Sequence, residues 1–306
     1  MSFPRLVSGP QLISSLAEIA PGHDALICDV WGVIHDGARH FPAAAEALSR
    51  FRRACGPVIL LTNAPRVPAE VAAQCASYGL PPDCYDAIVS SGGAARAELE
   101  RRTAAVAAKA AGGGEKARLP LYYIGPDRDL LMLEGLDVAR TRIEDAEVAL
   151  AIGLVDDMTE TPADYADRLA AMRARGLVML CANPDLVVHR GPRMVYCAGA
   201  LAKAYEELGG EVIYYGKPYR PVYDDALAAA SKAARAAGRP APKNPLAVGD
   251  GLMTDIKGAN NAGLSVLFIA DGIHGEEVEP YTAEHMADLF TRYGVRAGWA
   301  ARALAW

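Results

Sequence analysis

Short apolar runs alternate with alanine-rich segments along this chain, and this alternation limits the folds that it can adopt. The apolar runs are bounded by polar or turn-forming residues, which is typical of strands, whereas the segments between them have the spacing of amphipathic helices. Because strands that alternate with helices form parallel sheets with right-handed crossovers, the pattern predicts an α/β fold. The apolar runs are 25–28, 57–61, 121–124, 148–152, 177–181, 212–215, 246–248 and 265–269, and the clearest helical segments are 43–54, 68–78 and 221–237.

Polar side chains follow four of these predicted strands at the point where each strand ends. Open parallel sheets bind their ligands at the carboxyl ends of the strands, so we expect these side chains to form one site. Each group alone also fits a helix cap or a turn, and it is their order along the chain that favours a site. The residues are Asp29 after 25–28, Thr62 and Asn63 after 57–61, Lys217 after 212–215, and Asp250 and Asp255 after 246–248.

The chemistry of these strand ends favours an anionic ligand. A buried carboxylate such as Asp29 needs a metal, a cation or several N–H donors, because burying an unpaired charge is costly. A threonine hydroxyl and exposed N–H groups at Thr62 and Asn63 can hold anionic oxygens. Lys217 adds a positive charge beside a glycine that permits close approach.

Composition excludes several other classes of function. The chain has 306 residues and a net charge of −6, which argues against a general nucleic-acid binder, since that role needs a basic surface. No apolar run approaches the roughly 20 residues of a membrane helix, and the first residues do not have the pattern of a signal peptide. The six cysteines form no C-x-x-C pair. These features predict a cytoplasmic protein with no membrane or nucleic-acid partner, and leave open whether it forms a homo-oligomer.

Several motifs together resemble the haloacid dehalogenase-like (HAD) hydrolase superfamily. The chain is similar to the class with an inserted α/β cap, as in NagD-type and p-nitrophenyl-phosphatase-like enzymes. This resemblance implies a doubly wound, Rossmann-like parallel-sheet core from residues 1–92 and 193–306, and a cap from 93–192. The motifs are Asp29-Val30-Trp31-Gly32-Val33, Leu61-Thr62-Asn63, Ser90-Ser91-Gly92, Asn183-Pro184-Asp185, Gly199-Ala200-Leu201, Gly216-Lys217-Pro218, and Gly249-Asp250 with Thr254-Asp255.

The resemblance also implies how a phosphorylated substrate would be handled. Asp29 would be the nucleophile that accepts the phosphoryl group, which divides hydrolysis into two easier steps. Thr62 and the backbone of Asn63 would bind the phosphate, and Lys217 would balance the charge of Asp29 and of the phosphoryl oxygens. Phosphoryl transfer depends mainly on such alignment and charge neutralisation.

A magnesium site is the second implication of the resemblance. Asp250 would ligate Mg²⁺ together with Asp29 and the backbone carbonyl of Trp31, and Asp255 would support that shell. Without a cation, several carboxylates could not converge on a phosphate dianion, because their repulsion would be large. Mg²⁺ suits a site made of a few carboxylates and a substrate phosphate.

The family pattern breaks at Trp31. Related phosphatases carry an aspartate at this place, which protonates the leaving group and then activates water, and an indole can do neither. Losing such a group typically costs about 10²–10⁴-fold in rate. His35, Asp36 or the substrate itself would then have to manage the proton, or the leaving group would have to be a good one.

Two other functions therefore stay open beside the phosphatase. A degenerate, slow site could make the chain a binding or regulatory protein for a phosphometabolite. A hydrolase of another bond type is less favoured, because dehalogenases of the superfamily carry Tyr at this place but need no Mg²⁺, whereas this chain keeps the acidic fourth motif.

The predicted cap would select the substrate. In this class the cap closes over the site, so Asn183 and Asp185 join Thr62, Asn63 and Trp31 as expected substrate contacts. A structural turn is the alternative for residues 183–185. The sequence thus predicts a Mg²⁺-dependent phosphatase of a small phosphorylated metabolite. A sugar phosphate, a nucleoside monophosphate and a phosphorylated cofactor would each fit.

Overall fold

The computed structural model describes residues 9–110, 117–190 and 193–306. The strands are β1 (Gln11–Leu12), β2 (Ala25–Cys28), β3 (Val58–Thr62), β4 (Ala87–Ser90), β5 (Leu119–Ile124), β6 (Val138–Arg140), β7 (Val148–Ala151), β8 (Val178–Cys181), β9 (Val187–Arg190), β10 (Arg193–Tyr196), β11 (Glu211–Tyr214), β12 (Pro245–Gly249), β13 (Ser265–Ile269) and β14 (Trp299–Ala301). The α-helices are α1 (Pro42–Ala54), α2 (Pro68–Ser77), α3 (Ser91–Ala110), α4 (Ala166–Arg175), α5 (Ala198–Glu207), α6 (Arg220–Ala236), α7 (Lys257–Ala262) and α8 (Ala283–Tyr293).

The first of two compact units contains a seven-stranded sheet. This unit comprises the described residues up to Thr62, Val71–Val89 and Lys217–Trp306. Its strand order is β1-β14-β13-β12-β2-β3-β4, and the pairs from β1 through β3 are parallel. From β2 the chain winds outward to β3 and β4, and from β12 it winds the other way to β13 and β14. The switch point therefore lies between β2 and β12, where open α/β sheets bind ligands.

Both faces of this sheet are buried, which explains why its central strands are continuous apolar runs. On one face Ile27 and Ile59 belong to an apolar cluster with residues of α6, α7 and α8, including Tyr223 and Phe290. Leu26 points to the opposite face and is also fully buried. Helix α1 also contacts β3.

The second unit contains a five-stranded parallel sheet of its own. It comprises Asn63–Glu70 and Ser90–Gly216, and its strand order is β11-β8-β7-β5-β6. One face packs on α4 and α5 through Met179 and Leu201. The other face packs on α3 through Leu180 and Leu99. The predicted α/β fold is confirmed.

The second unit differs in extent from the predicted cap of residues 93–192. Its main segment continues to Gly216, because β11 pairs in parallel with β8, with Ile213 opposite Leu180. This strand was instead predicted to belong to the first domain, because a local pattern does not reveal which sheet a strand joins. Gly191 and Pro192, near the expected return, lie outside the described residues. Lys217 therefore follows a strand of the second sheet, although it belongs to the first unit itself.

All the predicted strands form, with ends shifted by a residue or two. We did not predict β1, β4, β6, β14 or the antiparallel hairpin of β9 and β10. Three of them, β1, β6 and β14, have only two or three residues, which is too few for a clear periodic pattern. The hairpin strands β9 and β10 both contain arginine, so neither is a continuous apolar run. Across the described ranges, we find no helix with the length and apolarity to cross a membrane.

Candidate active site

Two carboxylates extend from neighbouring strands at the switch point of the first sheet. Asp29 follows β2 and Asp250 follows β12, and these strands pair in parallel with Cys28 opposite Val248. The Asp29 N–H donates a hydrogen bond to the Val248 carbonyl oxygen at 2.9 Å, which extends the pairing beyond the end of β2. Because these strands are in register, their two following carboxylates come together.

A third carboxylate, Asp255, joins the pair from the turn after β12. Ligand oxygens of Asp29, Asp250 and Asp255 lie within 4.8 Å of one another, and all three residues are buried. Asp255 lies in a π-helical turn, where its Oδ2 accepts a hydrogen bond from the Gly251 N–H at 3.0 Å. The structure thus brings these three predicted site residues together, and their roles as metal ligands stay predictions.

Lys217 supplies positive charge to this cluster. Its Nζ contacts Asp29 Oδ1, lies 2.6 Å from Asp255 Oδ1 and 3.2 Å from the Leu61 carbonyl oxygen. The Lys217 side chain is only 4% exposed, so water screens these ion pairs little. One ammonium group thus joins two of the three carboxylates.

Burial and mutual repulsion govern the protonation of the cluster. Burial raises the pKa of Asp29 well above its usual range, the charge of Asp255 raises it further, and Lys217 opposes both. Burial, together with Asp255, raises the pKa of Asp250 to about 7. For Lys217, burial alone would lower the pKa, but Asp255 and Asp29 outweigh it and raise the pKa well above its usual value. A bound divalent cation would favour the ionised carboxylates again.

Two glycines allow the chain to close around the Asp250 carboxylate. A Cβ atom on Gly32 would lie 2.3 Å from Asp250 Oδ2, and one on Gly272 would lie 2.1 Å from the same oxygen. The Ile273 N–H donates a hydrogen bond to this oxygen at 2.7 Å. Asp250 is therefore held in one orientation, as a metal ligand needs to be. Three hard oxygen donors in such a cluster fit a divalent cation such as Mg²⁺.

Comparison with known proteins assigns this chain to a family. The sequence model described as haloacid dehalogenase-like hydrolase matches residues 26–138, and one described as HAD-hydrolase-like matches residues 214–292. A solved hydrolase of the haloacid dehalogenase-like family from Brucella suis 1330 is 36% identical, with a TM-score of 0.80, over 96% of this chain and 100% of that one. The chain belongs to the haloacid dehalogenase-like hydrolase family.

Two curated relatives of this hydrolase are phosphatases by name. D-glycerol 3-phosphate phosphatase from Mycobacterium tuberculosis is 30% identical over 262 residues, which are 85% of this chain. The match spans 66% of that enzyme, slightly less than two thirds of its length. Ribonucleotide monophosphatase NagD from Escherichia coli K12 is 27% identical over 251 residues, with 81% of this chain and 88% of NagD covered. The predicted resemblance to NagD-type HAD hydrolases is confirmed.

Some contacts of this HAD hydrolase site escaped the sequence analysis. The Tyr223 hydroxyl on α6 donates a hydrogen bond to the Asp255 carbonyl oxygen at 2.9 Å. The N–H of Ile273 and the Leu61 carbonyl oxygen are backbone groups, so the identity of these residues does not reveal their contacts. Two sequence signals mark this part of the site: a glycine soon after β13, Gly272, and a polar side chain that follows the same strand, His274.

The predicted substrate contacts fall in both units. Thr62 ends β3 next to β2 in the first unit and is buried. In the second unit, Asn63 donates a side-chain hydrogen bond to Asp185 Oδ1 at 2.8 Å, and the Asp185 N–H donates to Asn183 Oδ1 at 3.1 Å. The Ser91 hydroxyl donates to Asn63 Oδ1 at 3.2 Å. These three hydrogen bonds stabilise the second unit. The substrate roles of the residues stay predictions.

Trp31 is packed firmly in the loop after β2. Its ring meets the His35 ring edge to face, with centroids 5.1 Å apart. A Cβ atom on Gly37 would lie 2.5 Å from Trp31 Cη2, so this glycine makes room for the indole. His35 Nδ1 accepts a hydrogen bond from the Gly37 N–H at 3.1 Å, and burial lowers the pKa of His35 to about 4, although nearby Asp36 opposes this.

Asp36 is the other residue that could replace the missing acid–base aspartate. Its Oδ1 accepts hydrogen bonds from the N–H groups of Ala38 and Arg39, each at 2.9 Å. These bonds lower the pKa of Asp36. They are the bonds of a turn, so Asp36 serves the loop in this structure rather than holding a proton.

Proposed function

We propose that this HAD hydrolase is a Mg²⁺-dependent phosphatase of small phosphorylated metabolites. The observation that carries the proposal is the cluster of Asp29, Asp250 and Asp255, whose ligand oxygens lie within 4.8 Å of one another. Lys217 contacts two of these carboxylates. The names of the two curated relatives support the substrate class, since one acts on glycerol 3-phosphate and the other on ribonucleotide monophosphates.

The first chemical step belongs to Asp29. One of its carboxylate oxygens attacks phosphorus, and the bond from phosphorus to the ester oxygen breaks. The alcohol part of the substrate leaves as an alkoxide, which takes a proton from water. Lys217 balances the charge of Asp29, while Thr62 and the backbone of Asn63 hold phosphoryl oxygens. When bound by Asp29, Asp250 and the Trp31 carbonyl, with Asp255 in support, Mg²⁺ would neutralise the charge of the phosphoryl group.

In the second step, water attacks the phosphorus of the phospho-aspartate. The bond between phosphorus and the Asp29 oxygen breaks, phosphate is released, and the carboxylate is restored. In related phosphatases both steps use an aspartate as the acid–base group. In this chain Trp31 occupies the position of that aspartate. We therefore infer that substrates with good leaving groups react fastest, and that hydrolysis of the phospho-aspartate limits turnover.

A phosphate-release screen tests the proposal. We expect release from aryl, acyl and simple ester phosphates with Mg²⁺, and loss of release after removal of Mg²⁺ or in Asp29→Asn. Rapid-quench measurements with a good leaving group should show a burst of alcohol product before the slower steady state. No release from any of the three substrate types would end the phosphatase proposal, and a linear first turnover would contradict slow dephosphorylation.

A binding or regulatory protein is the second candidate, because Trp31 stands where related phosphatases carry their acid–base aspartate. A chain without useful turnover would still hold a phosphorylated ligand at the same site. Ligand affinity separates the two candidates. A binder shows affinity for phosphometabolites with no turnover in either the natural chain or Asp29→Asn, whereas an enzyme shows turnover that Asp29→Asn abolishes.

The second unit's contribution to substrate choice is also a proposal. Asn183 and Asp185 are polar residues of one loop, and we expect them to affect KM for particular leaving groups more than kcat. Alanine variants assayed across sugar phosphates and nucleoside monophosphates would measure this. Equal effects on every substrate would instead indicate a structural role for this loop.

A further inference from the structure

The loop after β13 holds the acidic segment 250–255 at two adjacent points. We call residues 272–277 the bracing loop. The Ile273 N–H of this loop donates a hydrogen bond to Asp250 Oδ2 at 2.7 Å. The next residue, His274, accepts a hydrogen bond at its Nε2 from the Leu252 N–H at 3.3 Å. One loop therefore contacts both the carboxylate of a proposed metal ligand and the backbone two residues later.

The Leu252 contact determines which nitrogen of His274 carries the proton. A backbone N–H can only donate, so Nε2 must present its lone pair, and the proton of the neutral ring lies on Nδ1. Nδ1 lies 2.7 Å from Glu277 Oε1, which accepts this proton in a hydrogen bond. That bond lowers the pKa of Glu277 and so favours its ionised form.

Glu277 is in turn held in place by Tyr293 on α8. The Tyr293 hydroxyl lies 2.9 Å from Glu277 Oε2 and 3.2 Å from Oε1, and its ring meets the His274 ring edge to face at 5.4 Å. These contacts fix both the rotation and the tautomer of His274. The imidazole is thus oriented by its partners to accept from Leu252, in the way that an outer carboxylate orients a metal-ligating histidine.

Leu252 is the first residue of the π-helical turn Leu252–Ile256, which carries Asp255. Its side chain is fully buried in the apolar cluster of the first unit, and its N–H points to His274. The backbone between Asp250 and Asp255 is therefore held on one side by its apolar anchor and on the other by the bracing loop. The separation of the two carboxylates depends on this short stretch of backbone.

We propose that His274 is a positioning residue for the metal site, acting through the Leu252 N–H on the spacing of Asp250 and Asp255. His274 donates no ligand atom to the site, and its effect is on metal affinity. The inference rests on the proposed function only in its choice of Mg²⁺ as the ion. Outer groups that orient metal ligands typically change metal affinity by about 10–100-fold, and we expect the lower end here, because His274 acts through the backbone.

The test measures Mg²⁺ affinity from the rise in unfolding temperature of the full chain with increasing Mg²⁺, which needs no substrate. His274→Phe keeps a ring beside Tyr293 but removes the acceptor, and we expect about 10-fold weaker Mg²⁺ binding. His274→Gln restores most of the affinity, because its side-chain oxygen can accept from the Leu252 N–H. His285→Ala is the matched control, since His285 hydrogen-bonds the Glu277 carbonyl oxygen at 2.8 Å in the same region.

Wild-type Mg²⁺ affinity in His274→Phe would overturn the proposal. A His274→Gln variant that binds Mg²⁺ no more tightly than His274→Phe would overturn it as well. An equal loss of affinity in His285→Ala would also overturn it, because the effect would then come from general loosening of the bracing loop. If His274→Phe does not fold, the Gln variant must still bind Mg²⁺ within a few-fold of the natural chain. Failure of the phosphatase proposal is seen separately, as Mg²⁺ binding that depends on His274 without any phosphate release.

Discussion

Lys217 and Asp255 form a buried ion pair, in which Nζ lies 2.6 Å from Asp255 Oδ1. The same Nζ contacts Asp29, so a single cation serves two carboxylates, and a third, Asp250, lies beside them. Among these four side chains, the negative groups therefore outnumber the positive one. Burial, and after it this crowding of negative charge, raises the pKa values of Asp29 and Asp250.

Replacing Lys217 should destabilise the metal-free chain strongly. In Lys217→Met the buried carboxylates lose their cation, and breaking a buried pair in this way typically costs about 3–5 kcal/mol. Mg²⁺ should recover part of this loss, because it brings positive charge to the same carboxylates. Urea unfolding with and without Mg²⁺ measures both effects. Lys232→Met, at an exposed position of α6, should change little, and a similar loss in both variants would contradict the assigned role of Lys217.

The position of the Trp31 ring beside Gly37 makes Gly37 sensitive to substitution. Gly37 has φ +87°, and a Cβ atom there would lie 2.5 Å from Trp31 Cη2. Gly37→Ala should therefore cost about 1–3 kcal/mol of unfolding free energy, through backbone strain and displacement of the indole. Gly22→Ala is the control, because a Cβ atom at Gly22 would meet nothing within 4 Å. Equal unfolding free energies for the two variants would mean that the indole is not fixed by Gly37.

The predictable part of the site consists of side chains that follow strands of one parallel sheet. Asp29 and Asp250 were predicted to meet because runs 25–28 and 246–248 are recognisably strands, and paired parallel strands end at one edge. Lys217 was predicted to join them, although its preceding strand belongs to the other sheet. Sheet membership depends on pairing between distant segments, which no local pattern records.

The unpredicted part consists of contacts made by backbone groups or across long distances in sequence. Ile273 contributes an N–H and Leu61 a carbonyl oxygen, and every residue but proline has both. Tyr223 lies on the buried face of α6, where the sequence shows only an apolar helix position. The partner of its hydroxyl, the Asp255 carbonyl oxygen, follows from helix packing alone.

The pair of Asn63 and Asp185 should behave as a structural unit in stability measurements. The Asn63 amide donates to Asp185 Oδ1 at 2.8 Å, and hydrogen bonds to charged groups contribute about 1.5–3 kcal/mol. Asn63→Ala, Asp185→Ala and the double variant should therefore show a coupling energy of about 1 kcal/mol or more. Additive losses of unfolding free energy would show that the pair is not coupled, and a change in KM alone would favour the predicted substrate role.

His35 should make the stability of the chain depend on pH between about 4 and 6.5. Burial lowers the pKa of His35 to about 4, from an ordinary value of 6.5 that the unfolded chain retains. Between these values the unfolded state binds the extra proton, so the contribution of His35 is fully present above pH 6.5 and is lost as the pH falls towards 4. The difference corresponds to about 3 kcal/mol. His35→Asn keeps an acceptor for the Gly37 N–H but does not titrate, so its unfolding free energy should fall less over this range. Denaturant unfolding of both chains at several pH values measures the difference, and parallel curves would show that His35 is not buried as a neutral ring.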